Sequence, residues 1–160
     1  MTTGSTDLAA MLATLEATIR PDEYVFAVID AGHSVVALAA ATIQEDEGLT
    51  VVLRRADADS RGIVYEFVAA WLTLTVHSSL EAVGLTAAFS RALGEAGISC
   101  NVLAGFHHDH LLVPASERDR ALEVVRALRG NPDKAEPKSR APRLHNLPAN
   151  LRQTYEFPAE

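Results

Sequence analysis

The chain has 160 residues, a formal charge of −7 at pH 7, 48% hydrophobic residues and a single cysteine, Cys100. That length suits one domain or two small units sharing a core, and the hydrophobic share excludes wholesale disorder. The acidic balance argues against nucleic acid, no apolar run approaches the ~20 residues of a membrane span, and one cysteine excludes an internal disulfide and a cysteine-based zinc site. The first residues lack the basic start and apolar stretch of a secretory signal, so the expectation is a soluble, cytoplasmic protein.

The spacing of Leu8, Met11, Leu12, Leu15 and Ile19 predicts a first helix, capped by Thr6 or Asp7 and stopped by Pro21. Strands are expected over Tyr24–Ile29, Val35–Ile43 and Leu49–Leu53, with turns at Asp30–His33 and Glu45–Gly48. A short helix is expected over Ala56–Gly62, after which the chain re-enters the sheet near Phe67 or Val68. In the strand that follows, Ala70, Leu72, Leu74 and Val76 share one face, and Trp71, Thr73, Thr75 and then His77 share the other.

Past the turn His77–Gly84, the apolar stripe Leu85, Phe89, Ala92, Leu93 and Ala96 predicts a helix, with Gly97 placed to end it. Ile98, Cys100, Val102 and Ala104 alternate with Ser99, Asn101 and Leu103, a strand leading to a hairpin tip at Phe106–His110 and a return strand. Ser116–Asp119 resembles a capping box opening a last helix, whose buried face is Leu122, Val125 and Leu128 and whose end is Gly130. From Asn131 the chain is rich in Pro, Lys and Arg and reads as a flexible tail, although Leu144, Leu147, Leu151, Tyr155 and Phe157 give its end apolar anchors. The order β-α-β-β-α after residue 69 is the ferredoxin-like pattern of an α+β fold, βαββαβ, lacking only its last strand.

The polar residues gather at the joints. In the turn His77–Gly84, Ser78 and Glu81 fit a capping box, which explains both structurally. Gly84 is not explained that way, since glycine inside a helix costs about 1 kcal/mol against alanine. It fits a helix that begins near Leu85 with its backbone N–H groups open to a carboxylate or phosphate.

His107, His108, His110 and Asp109, with His77, are metal ligands by type but not by spacing. Along a strand His108 and His110 could converge while His107 and Asp109 turn away, and the plainer reading is a polar hairpin with Asp109 hydrogen-bonding the turn backbone. Ser78, Ser79 and Cys100 sit in no nucleophile motif, and Cys100 alternates with apolar residues as a buried side chain does. No cofactor or metal is expected. The strip Thr73, Thr75, His77, Ser99 and Asn101 falls on one face opposite the helices: a solvated face, a subunit interface or a ligand wall.

Three stretches together, Leu74–Ala88, Ala96–Val102 and Ala104–Pro114, resemble a group of small bacterial ACT-domain proteins, stand-alone relatives of the regulatory regions of aspartokinases. The resemblance covers roughly residues 7–129. It implies two ACT-like units, 7–68 and 69–130, followed by the tail 131–160. If the units interleave, an N-terminal strand completes the second sheet and supplies the missing strand. It also implies a non-catalytic regulatory protein that binds an amino acid or similar effector at the loop from first strand to first helix. Carried onto this chain, the ligand-binding residues are His77, Ser78, Ser79, Gly84 and Leu85, with Ser99 and Asn101 facing them and His108, Asp109 and His110 as secondary candidates. The common loop of the family carries an acidic residue followed by Pro-Gly; here Glu81-Ala-Val-Gly84 keeps the glycine and a displaced acid. The implied partners are a small-molecule effector, a second copy in a homodimer or higher oligomer, and a target enzyme in trans. Two other readings stand beside it: a metal- or histidine-dependent enzyme centred on His77, His108 and His110, and a protein-interaction module.

Overall fold

The structure, a computed structural model, describes residues 7–76 and 83–130. Helix α1 spans Leu8–Ala13, with the Asp7 carboxylate accepting from Ala9 N–H at 2.9 Å. The chain then turns directly into β1, Glu16–Ile29. The expected first helix is therefore one and a half turns long, and Pro21 lies within a strand. The reason is a coincidence of periods: Leu15, Ala17 and Ile19 are alternate residues as well as near-helical ones. The β-branched and aromatic residues that follow favour extension. Pro21 is accommodated because the pairing shifts between Ile19 and Glu23, so its missing N–H breaks no ladder bond.

A 3-10 segment, Ser34–Leu38, follows where an extended strand was expected, and β2 is confined to Ala41–Glu45. Topology forces this. β1 and β2 both lie antiparallel to β3 (Gly48–Arg54), on opposite sides of it, so the chain between them must cross a sheet face. Next come α2 (Arg55–Asp59) and β4 (Val68–Thr75). Then come α3 (Leu85–Glu95), β5 (Asn101–Ala104), β6 (Asp109–Pro114) and α4 (Arg118–Arg126). A 3-10 turn over Ala115–Glu117 leads into α4, and no side chain caps that helix, so the capping box expected at Ser116 does not form.

The six strands of the described residues form one antiparallel sheet in the order β2-β3-β1-β4-β6-β5. Two βαββαβ patterns are written into it. β1, the 3-10 segment, β2, β3, α2 and β4 give one, in the order β4-β1-β3-β2. β4, α3, β5, β6 and α4 give the other, closed by β1 in the order β1-β4-β6-β5. Each pattern's first strand is the other's last. The strand missing from the second half is thus supplied by the N-terminal half of β1, where Glu16–Ile19 pair with Leu72–Thr75. The whole is an α+β, ferredoxin-like fold.

The helices cover one face. Ala70, Leu72 and Leu74 of β4 point into a core with Phe89 and Leu93 of α3 and Ala121 and Val125 of α4. Phe89, Leu93 and Leu72 are fully buried, and each such side chain contributes about 1.5–3 kcal/mol by leaving water. A second cluster on the same face, around Val25, Val51, Leu53 and Ala58, packs under α2. A third, Tyr24, Val52, Ala69, Trp71 and Leu112, buried in its turn, occupies the opposite face, which is open only in that no helix of the described residues lies on it.

Candidate functional site

At the β4–α3 joint, Gly84 is the N-cap of α3 with φ +104° and ψ −27°, a conformation glycine takes freely and other residues do not. A Cβ there would lie 3.1 Å from Leu8 Cδ2, so α1 also holds this position close. Gly84 accepts from Ala88 N–H at 2.9 Å but has no side chain to offer the amides of the first helical turn. No acidic residue stands in that turn. The expected start of the helix at Leu85 is the observed one, and Leu85 is buried. His77, Ser78 and Ser79, with the capping box expected at Ser78 and Glu81, lie outside the described residues.

The hairpin joining β5 and β6 is tighter than expected. Gly105 N–H donates to His108 O at 3.0 Å, so only Phe106 and His107 form the tip, and Asp109 and His110 belong to β6. Phe106 is 79% exposed, its ring edge-on to His107 at 4.9 Å. The register sets Leu74, Asp109 and Ala104 in one row and Thr73, His110 and Leu103 in the next. Asp109 therefore lies on the helix-covered face and His110 on the open one. Burial pushes the Asp109 carboxyl up from its ordinary value, against an opposing pull from His108. His110 is pushed down, first by burial and then by Arg20 and His108. Among the described residues no three His, Cys, Asp or Glu side chains group as metal ligands.

Ser99 and Asn101 do not face the joint within one chain. β5 runs parallel to β4, so its first residue, Asn101, is level with Leu112 and Trp71. The end of β4 lies four residues further along, roughly 13 Å at the rise of a strand. Asn101 donates from Nδ2 to Leu112 O at 3.4 Å, and Ser99 is exposed just before the strand. The expected alternation itself is observed: Ile98, Cys100 and Val102 pack toward the helices. Thr73, Thr75 and Asn101 share the open face by register. Burial pushes the Cys100 thiol up to about 11, away from any nucleophilic role at neutral pH.

One group on that open face has no counterpart among the residues expected from the sequence. The Arg20 guanidinium lies 4.1 Å over the Trp71 ring and 5.8 Å from the Tyr24 ring. Trp71 also meets Tyr24 at 4.9 Å and His110 at 5.2 Å, and His110 Nδ1 is 3.1 Å from Thr73 Oγ1. A tryptophan alternating with threonines is its signal in the sequence; Arg20 falls beside it only because the chain is extended there rather than helical. Elsewhere, a cleft of about 360 Å³ is lined by Leu15, Glu16, Ala17, Thr18, Arg126 and Arg129. Its arginines are engaged: Arg126 Nη2 donates to Ala17 O at 2.9 Å, and Arg129 stands 3.7 Å from Glu16.

No curated protein matches the chain. Among solved structures, a Vibrio cholerae protein of unknown function, called a possible transport protein, is 39% identical with a TM-score of 0.69, over 76% of this chain and 94% of that one. An Agrobacterium tumefaciens protein is 18% identical with a TM-score of 0.52, over 72% of this chain and 89% of its own. The ligand-free regulatory subunit of aspartate kinase from Thermus thermophilus is 14% identical with a TM-score of 0.50, over 73% of this chain and 97% of that subunit, a likeness of fold. Two family models match, both described as ACT domain, at residues 3–70 and 49–127. Their overlap at 49–70 holds all but the first residue of β3, α2 and the start of β4, the strand that both patterns use. The chain belongs to the ACT-domain family.

Proposed function

We propose that this protein is a non-catalytic regulatory protein that binds an amino acid at the β4–α3 joint. A regulatory, small-molecule-binding role follows from the ACT family itself; the amino acid and the site are the finer reading. The observation that carries it is the start of α3: a left-handed glycine leads into a helix whose first amides receive no side chain from their own cap. Such amides, with the helix dipole behind them, suit a carboxylate.

In this reading the ligand carboxylate meets the backbone near Gly84 and Leu85, with His77, Ser78 and Ser79 around its polar end. His108 and Asp109 stand at the neighbouring hairpin. Ser99 and Asn101, distant along the sheet, take part from a second copy in a homodimer or larger oligomer. Binding at such a junction biases how two units pack, and that bias is passed to a target enzyme in trans.

A thermal-shift screen of the twenty amino acids and common nucleotides, with and without divalent cations, tests this. A ligand at a hundred times its dissociation constant stabilises by about 2.7 kcal/mol, a rise of roughly 5–10 °C. The expected result is an amino-acid hit that Ser79→Ala weakens. A response to metal alone would instead favour a histidine-centred enzyme, and silence throughout would overturn the proposal.

A further inference from the structure

On the sheet face opposite the described helices, the surroundings of the one tryptophan are short of acceptors, and Arg20, Thr73 and His110 are the partly exposed rim of a buried cluster. Trp71 is 2% exposed, and its Nε1–H is buried without a hydrogen-bond partner. An orphaned buried donor is an uncommon feature that asks for an explanation. The neighbours that surround the ring do not provide one. Arg20, stacked on it, is a donor only, and among the described residues no carboxylate pairs with its guanidinium. The Thr73 hydroxyl and the His110 ring are engaged with each other. The group therefore combines a charged planar fork, an unmatched N–H and a hydroxyl–imidazole pair on an apolar floor of Leu112 and Leu103.

We infer that Arg20, Trp71 and the Thr73–His110 pair form a recognition site for the carboxylate of a small organic acid. A carboxylate is the acceptor this set lacks: it takes a guanidinium fork through two parallel hydrogen bonds and has further lone pairs for a second donor. Arg20 is also placed to give way. It belongs to the irregular stretch between Ile19 and Glu23, where β1 changes register against β4, so it can shift from the ring without breaking a regular ladder. The site lies on the face away from α3 and does not depend on the β4–α3 joint.

Trp71 is the only tryptophan in the chain, so its fluorescence reports on this site directly. The experiment titrates the full-length protein with benzoate, and with benzyl alcohol and inorganic phosphate as controls. The expected result is a saturable change with benzoate that neither control reproduces. Arg20→Gln should weaken it at least tenfold with circular dichroism unchanged. Arg54→Gln, an arginine of β3 paired with Asp57 instead, should leave it unaltered. Should Arg20→Gln fail to fold, Arg20→Lys keeps the charge and loses the fork, and should still weaken benzoate several-fold. No saturable change, equal affinity in the Arg20 variants, or an equal response to either control would overturn the assignment.

Discussion

Replacing Gly84 by alanine adds one methyl group, and the structure separates what that methyl does. The first effect is on the backbone: at φ +104° an L-residue sits outside its allowed regions, and left-handed conformations cost about 1–2 kcal/mol. The second is contact: the new Cβ stands 3.1 Å from Leu8 Cδ2, the mobile end of a half-buried side chain that yields at a cost of about a few tenths of a kcal/mol. The backbone term dominates. Gly84→Ala should therefore lower stability by about 1–2 kcal/mol, a fall in Tm of about 3–8 °C for a domain this size. A double-mutant cycle with Leu8→Ala, followed by urea unfolding, divides the two effects. More than half of the cost should persist when Leu8 is truncated. If Gly84→Ala is as stable as the parent, the left-handed cap is refuted; if its cost vanishes in the Leu8→Ala background, the attribution to the backbone is refuted.

Other substitutions test the rest of the structure. Phe89→Ala, in the centre of the helix-covered core, should cost about 3–5 kcal/mol in denaturant unfolding, the range for truncating a buried aromatic. Cys100, its thiol pushed up to about 11 by burial, should react with a disulfide reagent at pH 8 far more slowly in the native protein than in urea. His110 is held below the ordinary histidine value, so the unfolded chain takes up its proton first as pH falls. Its contribution is present above the unfolded value and declines below it, and Tm should depend less steeply on pH between about 7 and 5 in His110→Asn. Ending the chain after Gly130 should leave Tm within a few degrees of the parent if the sheet and the apolar clusters formed by the described residues carry the fold by themselves; a larger fall in Tm would refute that.

The second half of the molecule was legible because each of its elements has one dominant period. The two-residue alternation of β4 and the stripe from Leu85 to Ala96 admit no rival reading, and both lie where they were expected. The first half was harder for two physical reasons. Leu15, Ala17 and Ile19 satisfy two periods at once, and the choice between them is made by pairing with Leu72–Leu74, more than fifty residues away. Val35–Leu38 looks like a strand by composition, yet the crossing from β1 to β2 requires it to leave the sheet. The open-face group needed both facts, since Arg20 meets Trp71 only once β1 is known to be extended and irregular at that point. Alternation places Asn101 on the face opposite the helices, where it lies, but its position along the sheet is a matter of register, which alternation alone does not reveal.

Because β1 and β4 each serve both βαββαβ patterns, the molecule has no seam along which it divides into self-sufficient pieces. A chain cut before Val68 gives one fragment with β1, β2 and β3 and another with β4, β5 and β6. Each fragment is one strand short of a four-stranded sheet, and the strand it lacks is the leading strand of the other. Neither closes its own core, whereas the two together restore every pairing through the β1–β4 ladder. The fold is thus a natural candidate for fragment complementation, in which the halves order one another on meeting and an intact sheet reports that both are present.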